Sequence, residues 1–60
     1  MDPDQALQNI RNALAALRAD ANDYAAAEQL ADSTEALDEW LTRGGHLPAA
    51  WARGGDQSQP

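Results

Sequence analysis

Alanine supplies more than half of the apolar residues in this chain, and the resulting shortage of large side chains limits what it can fold into. Of the 26 hydrophobic residues among 60, 14 are alanine and only twelve are large. A chain of this size buries only about 60% of the surface that it exposes when unfolded. Alanine also has the highest helix propensity of all residues. We therefore predict an all-α fold with a small core that a second copy or a partner protein completes.

The first predicted helix runs from Pro3 to about Asp20. Asp2 lies directly before a proline at the first helical position, which is a strong start signal, and Asp4 favours the positive end of the helix dipole. Large apolar residues then recur at spacings of three, four and three: Leu7, Ile10, Leu14 and Leu17. This spacing predicts a narrow apolar seam, of the kind that packs against one neighbouring helix.

A second helix is predicted after a break at residues 21 to 23, with either Asn22 or Asp23 as its cap. It should end at Arg43, because Gly44 can adopt the left-handed conformation that terminates helices. Its apolar stripe comprises Tyr24, Ala27, Leu30, Thr34, Leu37 and Leu41.

The short connection predicts an antiparallel hairpin, and the alternative is one continuous helix from Pro3 to Arg43. After the hairpin, Pro48 opens a short C-terminal helical turn that should stop at Gly54. We predict a single hairpin domain over residues 1–53 with a tryptophan-containing C-terminal cap. The polar residues 54–60 should form a disordered tail. Dimerisation of two such hairpins would give a four-helix bundle.

Small residues and arginines mark a further feature of the helices. The alanines that crowd one side of each helix are Ala6, Ala13 and Ala16, then Ala25, Ala26 and Ala27. Either high helix propensity or close approach of helices across a dimer explains them. Arg11 and Arg18 are seven residues apart and flank the seam. We expect these two arginines to bridge carboxylates of a second copy in the assembled form.

Acidic residues form a continuous stripe on the second helix, opposite its apolar stripe. Glu28, Asp32, Glu35 and Glu39 follow each other at spacings of four, three and four. A solvated helix face is one interpretation, and a docking surface for a basic partner is the other. DNA mimicry is the sharpest version of the second. However, the stripe carries one charge per roughly 5 Å, against one per about 1.7 Å in duplex DNA.

Both tryptophans lie in the last third of the chain, and Leu47 and Pro48 stand between them. The side chains that we assign to this apolar end are Trp40, Leu41, Leu47 and Trp51. They could form a local core that closes the open end of the hairpin. They could also be a partner-facing anchor, because aromatic residues often dominate the binding energy of interfaces. Both hold if one tryptophan packs inward and the other faces outward.

Composition excludes several classes of function. The chain has no cysteine, and its formal net charge of -6 disfavours direct binding to nucleic acid or to anionic membranes. Its acidic N-terminus and short apolar runs are unlike a signal peptide or a membrane span. We therefore expect a soluble cytoplasmic protein.

No residue pattern indicates catalysis or metal binding. His46 is the only histidine, and it lacks a second ligand at metal-binding spacing on the same helix face. Neither Ser33 nor Ser58 has a plausible general base, and a two-helix protein has little room for a pocket that shifts carboxylate pKa values. We expect His46 to cap or flank a turn, and the protein to be no enzyme and to use no cofactor, metal or small-molecule substrate.

One segment resembles a known group of proteins. Residues 37 to 51 read LDEWLTRGGHLPAAW, about a quarter of the chain. This run resembles the tail of short uncharacterised acidic helical proteins of actinobacteria and their phages. The absence of lysine, with abundant alanine, arginine, glycine and proline, fits a GC-rich genome of that kind. The resemblance implies a small accessory protein, in one version encoded by a phage and acting on a host component. No enzymatic activity follows from it.

The sequence thus leads to three hypotheses about function. The first is a non-catalytic protein-protein interaction module that self-associates and docks on an unidentified protein through its tryptophan-bearing end. The second is an acidic decoy that occupies the basic surface of a nucleic-acid-binding protein. The third is a purely structural homo-oligomer.

Overall fold

The computed structural model describes residues 1–52, which form two long helices and a helical turn. Helix α1 spans Pro3–Ala19 and helix α2 spans Tyr24–Thr42. The two helices pack against each other as a hairpin. Residues 49 to 52 form the short C-terminal helical turn. These features confirm the predicted all-helical hairpin. Arg53 and the predicted disordered tail, 54–60, lie outside the described residues.

Helix α1 begins where the sequence predicted it. The Asp2 carboxylate accepts hydrogen bonds from the backbone N–H groups of Asp4, at 3.1 Å, and Gln5, at 3.3 Å. Pro3 occupies the first helical position, where its missing N–H costs no hydrogen bond. The side chain of Asp2 therefore satisfies two of the N–H groups that the start of a helix leaves without partners.

The connection between the helices is tight and is made by two aspartates. Asp20 ends α1, and its carboxylate accepts a hydrogen bond from the backbone N–H of Asn22 at 3.0 Å. Asp23 caps α2 by accepting from the backbone N–H of Ala26 at 3.0 Å. The cap is thus Asp23 and not Asn22, and the continuous helix is wrong. Two local side-chain bonds outweigh the helix propensity of alanine at position 21.

Helix α2 ends in a Schellman motif. Gly44 has a φ of +92°, in the left-handed region, and its N–H donates to the Leu41 carbonyl at 3.0 Å. The N–H of Gly45 donates to the Trp40 carbonyl at 2.9 Å. Arg43 is the C-terminal cap residue, so the predicted end of the helix is confirmed.

The interface between the helices is built mainly from small side chains. Its buried members are Ala6, Leu7 and Ala13 from α1 and Ala26, Ser33 and Leu37 from α2. Ala6, Ala13 and Ala26 thus serve packing within one chain, which neither predicted explanation covers, whereas Ala25 and Ala27 are exposed. Because alanine and serine project little, the backbones of the two helices can come close together.

The predicted apolar stripe of α2 is wrong at three positions. Tyr24, Ala27 and Thr34 are all exposed. Ala26 and Ser33 are buried instead, each one residue before a predicted position. Leu37 is buried as predicted, so helix α2 is turned from the predicted orientation by less than the roughly 100° that separates consecutive helical residues. The close contact of small residues explains this rotation, because it directs the half-buried Leu30 and Leu41 toward the edge of the interface.

Candidate docking surface

The C-terminal segment folds back onto the open end of the same hairpin. Pro48 is almost completely buried, with less than 2% of its surface exposed. The backbone N–H of Ala49 donates a hydrogen bond of 2.7 Å to the carboxylate of Asp4, 45 residues earlier. The N–H groups of Trp51 and Ala52 donate to the Pro48 carbonyl at 3.0 Å, which closes the helical turn. Asp4 thus ties this turn to the first turn of α1.

The side chain of Trp40 stabilises the fold-back of the C-terminal segment. It is half-buried, and its indole N–H donates to the His46 carbonyl at 2.9 Å. The imidazole of His46 meets the indole edge to face, with ring centroids 5.5 Å apart. A side chain at Gly45 would overlap the indole ring. The glycine therefore lets the chain pass directly against Trp40, and the exposed His46 follows the turn at residues 43 and 44.

Trp51 is partly exposed and lines an apolar groove. The other residues that line this groove are Ile10, Thr34, Leu37, Asp38 and Leu41. Trp51 remains 38% exposed, and Leu47, in the same segment, is 48% exposed. Of the four residues predicted for the apolar end, Leu41 and Trp51 therefore share one groove. Trp40 supports the fold of the C-terminal segment. Leu47 belongs to that segment but is exposed and does not line the groove.

The apolar surface continues from the groove toward the connecting loop. Leu14 follows Ile10 by four residues on α1, and Leu30 precedes Thr34 by four on α2, so each continues the groove on its own helix. Leu14 is 41% exposed although it belongs to the predicted seam. We call the surface formed by Ile10, Leu14, Leu30, Thr34, Leu41 and Trp51 the groove face.

Three charged side chains neighbour the groove face. Arg11 precedes Leu14 by three residues and Arg18 follows it by four, which places both arginines beside Leu14 on α1. Asp38 lines the groove itself. Both arginines are exposed, and the one ion pair among residues 1–52 does not involve them.

The acidic stripe lies on a different side of α2 from the groove face. All four of its carboxylates are exposed, and none of them lines the groove. Asp32 instead borders the opposite edge of the hairpin, with Gln5 and Asn9 of α1. Glu39 forms an ion pair with Arg43 at 2.6 Å, in which both side chains are largely exposed. The stripe and the groove face are thus two separate surfaces.

Sequence reasoning missed the contact between Asp4 and Ala49. The sequence indicated Asp4 only as a favourable charge at a helix start, because no local pattern links residues 45 positions apart. The close passage of the chain at Gly45, in contrast, was predictable from the sequence. In a Schellman motif the residue two positions after the cap commonly contacts the third-last residue of the helix. These two positions are occupied by Gly45 and Trp40.

The described part of the chain shows no metal-binding arrangement and no membrane-spanning helix. Across residues 1–52, no three histidine or acidic side chains are grouped closely enough to bind an ion. Neither α1 nor α2 combines the length and the apolar character needed to cross a bilayer.

Comparison with known proteins assigns this chain to no family. The chain matches no protein-family model, and it is not significantly similar to any curated protein or solved structure compared with it. The groove face and the acidic stripe are therefore the features that indicate a function.

Proposed function

We propose that this protein is a non-catalytic protein-protein interaction module that docks through its groove face. The observation that carries this proposal is the apolar groove beside Trp51, with the exposed Leu14 one helical turn beyond Ile10. A small chain with few large apolar residues leaves five of them at least 38% exposed, and two of these, Leu14 and Trp51, belong to the groove face. Contiguous exposed apolar surface of this kind commonly marks an interaction site.

The shape of the groove face supports this proposal. Two helices packed side by side make a single layer, whereas stable domains generally have two packed layers around their core. The C-terminal segment supplies a second layer over only one end of the hairpin. The part of the groove face near the loop, around Leu14 and Leu30, has no second layer among the described residues.

The position of Trp51 also supports the proposal. Tryptophan is enriched among the residues that dominate binding energy, especially where a pocket surrounds it. The Asp4 to Ala49 hydrogen bond and the buried Pro48 fix the turn that carries Trp51. A partner would therefore meet an aromatic side chain whose backbone is already ordered, which lowers the entropic cost of binding.

The experiment is an affinity capture from actinobacterial lysate with three forms of the tagged protein. These are the natural chain, the Trp51→Ala variant, and the Asp32→Asn/Glu35→Gln variant. Captured proteins are eluted with a salt gradient. We expect to capture a protein that stays bound at high salt. The double variant should still capture this protein, and Trp51→Ala should bind it at least about tenfold more weakly. The proposal would be contradicted if Trp51→Ala captured the same protein as well as the natural chain does.

The acidic decoy is the second candidate, and the exposure of its carboxylates favours it. Glu28, Asp32 and Glu35 are exposed and pair with no arginine among residues 1–52. If this stripe is the active surface, a nucleic-acid-binding protein will elute at moderate salt and will be lost with Asp32→Asn/Glu35→Gln. Capture of no protein other than this chain would instead favour the purely structural homo-oligomer.

A further inference from the structure

We propose that the C-terminal segment is a strap that opens and closes as one unit while the helical hairpin stays folded. The strap comprises residues 46–52, with Gly45 as its hinge and the carboxylate of Asp4 as its latch. Because Trp51 belongs to the strap and lines the groove, the complete docking surface exists only in the closed form. This last step rests on the proposed function, whereas the opening itself is tested on the purified chain without a partner.

Few directed interactions hold the strap on the helices. Within the described part of the chain, two hydrogen bonds join them. The indole N–H of Trp40 donates to the His46 carbonyl at 2.9 Å, and the N–H of Ala49 donates to the Asp4 carboxylate at 2.7 Å. The remaining hydrogen bonds of the strap go to the Pro48 carbonyl and close its own helical turn. The strap can therefore separate from the helices at the cost of a small part of the structure.

Gly45 can act as the hinge without disturbing the end of α2. The N–H groups of Gly44 and Gly45 make the two hydrogen bonds of the Schellman motif. Rotation about the φ and ψ bonds of Gly45 moves only the residues that follow it, so both hydrogen bonds stay in place. A residue without a Cβ atom permits the widest range of such rotations. Opening of the strap therefore does not require α2 to unwind.

The Asp4 carboxylate is suited to be the latch because it links the strap to the other helix, α1. Its partner, Ala49, directly follows the buried Pro48, so the hydrogen bond lies beside the point where the strap packs most closely. Asp4 and Ala49 are both exposed, so water can replace each of them as a partner when the strap opens. The buried small residues between α1 and α2 include none from the strap, so the interface of the hairpin stays intact.

Hydrogen exchange of the purified chain, followed by NMR, separates opening of the strap from unfolding of the hairpin. The Trp40 indole N–H reports on the strap, because it is bonded to His46 only in the closed form. The backbone N–H groups of Ala13 and Ser33 report on the hairpin, because both residues are buried between the helices. We expect the indole to be protected at least about tenfold less than these two amides. Equal protection of the indole and the amides would overturn the proposal.

Two aspartate variants at opposite ends of the hairpin sharpen this test. Asp4→Ala removes the latch and should lower the protection of the Trp40 indole about fivefold. Asp23→Ala removes the cap of α2 at the loop. It should lower the protection of the Ala13 and Ser33 amides by about the same factor, and that of the indole by less than about twofold. An indole that responds to Asp23→Ala as strongly as the amides do, or that does not respond to Asp4→Ala, would contradict the proposal.

Asp4→Asn distinguishes the hydrogen bond to Ala49 from the charge at the start of α1. Asparagine keeps an oxygen that can accept this bond but carries no charge. We expect Asp4→Asn to lower the protection of the indole less than Asp4→Ala does. Equal losses in these two variants would contradict the bond to Ala49 as the latch. Circular dichroism of each variant confirms that helix content is retained before protection is compared.

Failure of this inference is distinguishable from failure of the proposed function. A strap that opens only when the whole hairpin unfolds would refute the inference and leave the groove face as a docking surface. A strap that opens as a unit, in a chain whose Trp51→Ala variant captures its partner unchanged, would keep the inference and refute the proposed function.

Discussion

The two ends of the hairpin differ in how their apolar residues are covered. At the open end the chain folds back, buries Pro48 and surrounds Trp40, so this end is closed by its own sequence. Toward the loop, Leu14 is 41% exposed, and no described segment covers it. The difference shows that a short chain can complete one end of a single helical layer. It also shows that apolar surface at the other end is left for a partner to cover.

The largest expected effect is at the closed end, from Gly45→Val. Its side chain would overlap the Trp40 indole and force the ring out of its site. We expect a loss of about 3 kcal/mol in the free energy of unfolding, measured by urea denaturation. Gly44→Ala is the comparison, since Gly44 has a positive φ but open space around it, and it should cost about 1 kcal/mol. Equal losses would mean that the packing of Trp40 does not close this end.

The next effect concerns the small-residue interface that both ends share. Ala13 is 2% exposed between the helices, so Ala13→Leu must push them apart. We expect a loss of about 2 kcal/mol in the free energy of unfolding. Ala15→Leu adds the same side chain at an exposed position of α1 and should be nearly neutral. If both variants unfold at the same urea concentration, the close approach of the helices is not what stabilises the hairpin.

A smaller effect is expected from Asp4→Ala, which removes the hydrogen bond to Ala49. We expect a loss of about 1 kcal/mol, as is usual for one hydrogen bond. The indole fluorescence should also shift to the red, because the turn that carries Trp51 is released into water. Asp2→Ala is the control, because it removes a helix cap of similar value without touching the C-terminal turn. A fluorescence shift in Asp2→Ala as large as that in Asp4→Ala would contradict the specific role of Asp4.

The smallest effect on folding is expected at the uncovered end. Leu14→Gln should change the free energy of unfolding of the dilute monomer by less than about 0.5 kcal/mol, because this side chain is already partly in water. The same variant should clearly weaken capture of a partner protein. A large loss of stability in the monomer would mean that Leu14 belongs to the core of the single chain, and the contrast between the ends would disappear.

The helix boundaries could be predicted from sequence because their causes are local. Asp2 and Asp23 cap helices through bonds that span two or three residues, and Gly44 terminates α2 through its own backbone conformation. The face that α2 turns toward α1 could not be predicted in the same way. It depends on how closely the helices approach, so the burial of Ser33 instead of Thr34 follows from packing and not from hydrophobicity.

The candidate site was predictable in part for the same reason. Trp51 and Leu41 were recognised as apolar residues near one end, and the structure places both at one groove. The contribution of Ile10 to that groove was not recognised, because a seam residue was expected to be covered by α2. The bond from Ala49 to Asp4 has no local signal at all. Contacts between distant segments set which of the apolar residues stay exposed, and periodicity alone does not contain them.

The most direct test of the groove face as a docking surface is capture of a partner protein by Leu14→Glu, which changes the uncovered end of that face. We predict that Leu14→Glu binds the protein captured by the natural chain at least about tenfold more weakly. Tyr24→Glu, at a side chain that is 79% exposed and does not line the groove, should bind it to within about twofold of the natural chain. Equal capture by the natural chain and by Leu14→Glu would contradict the central claim.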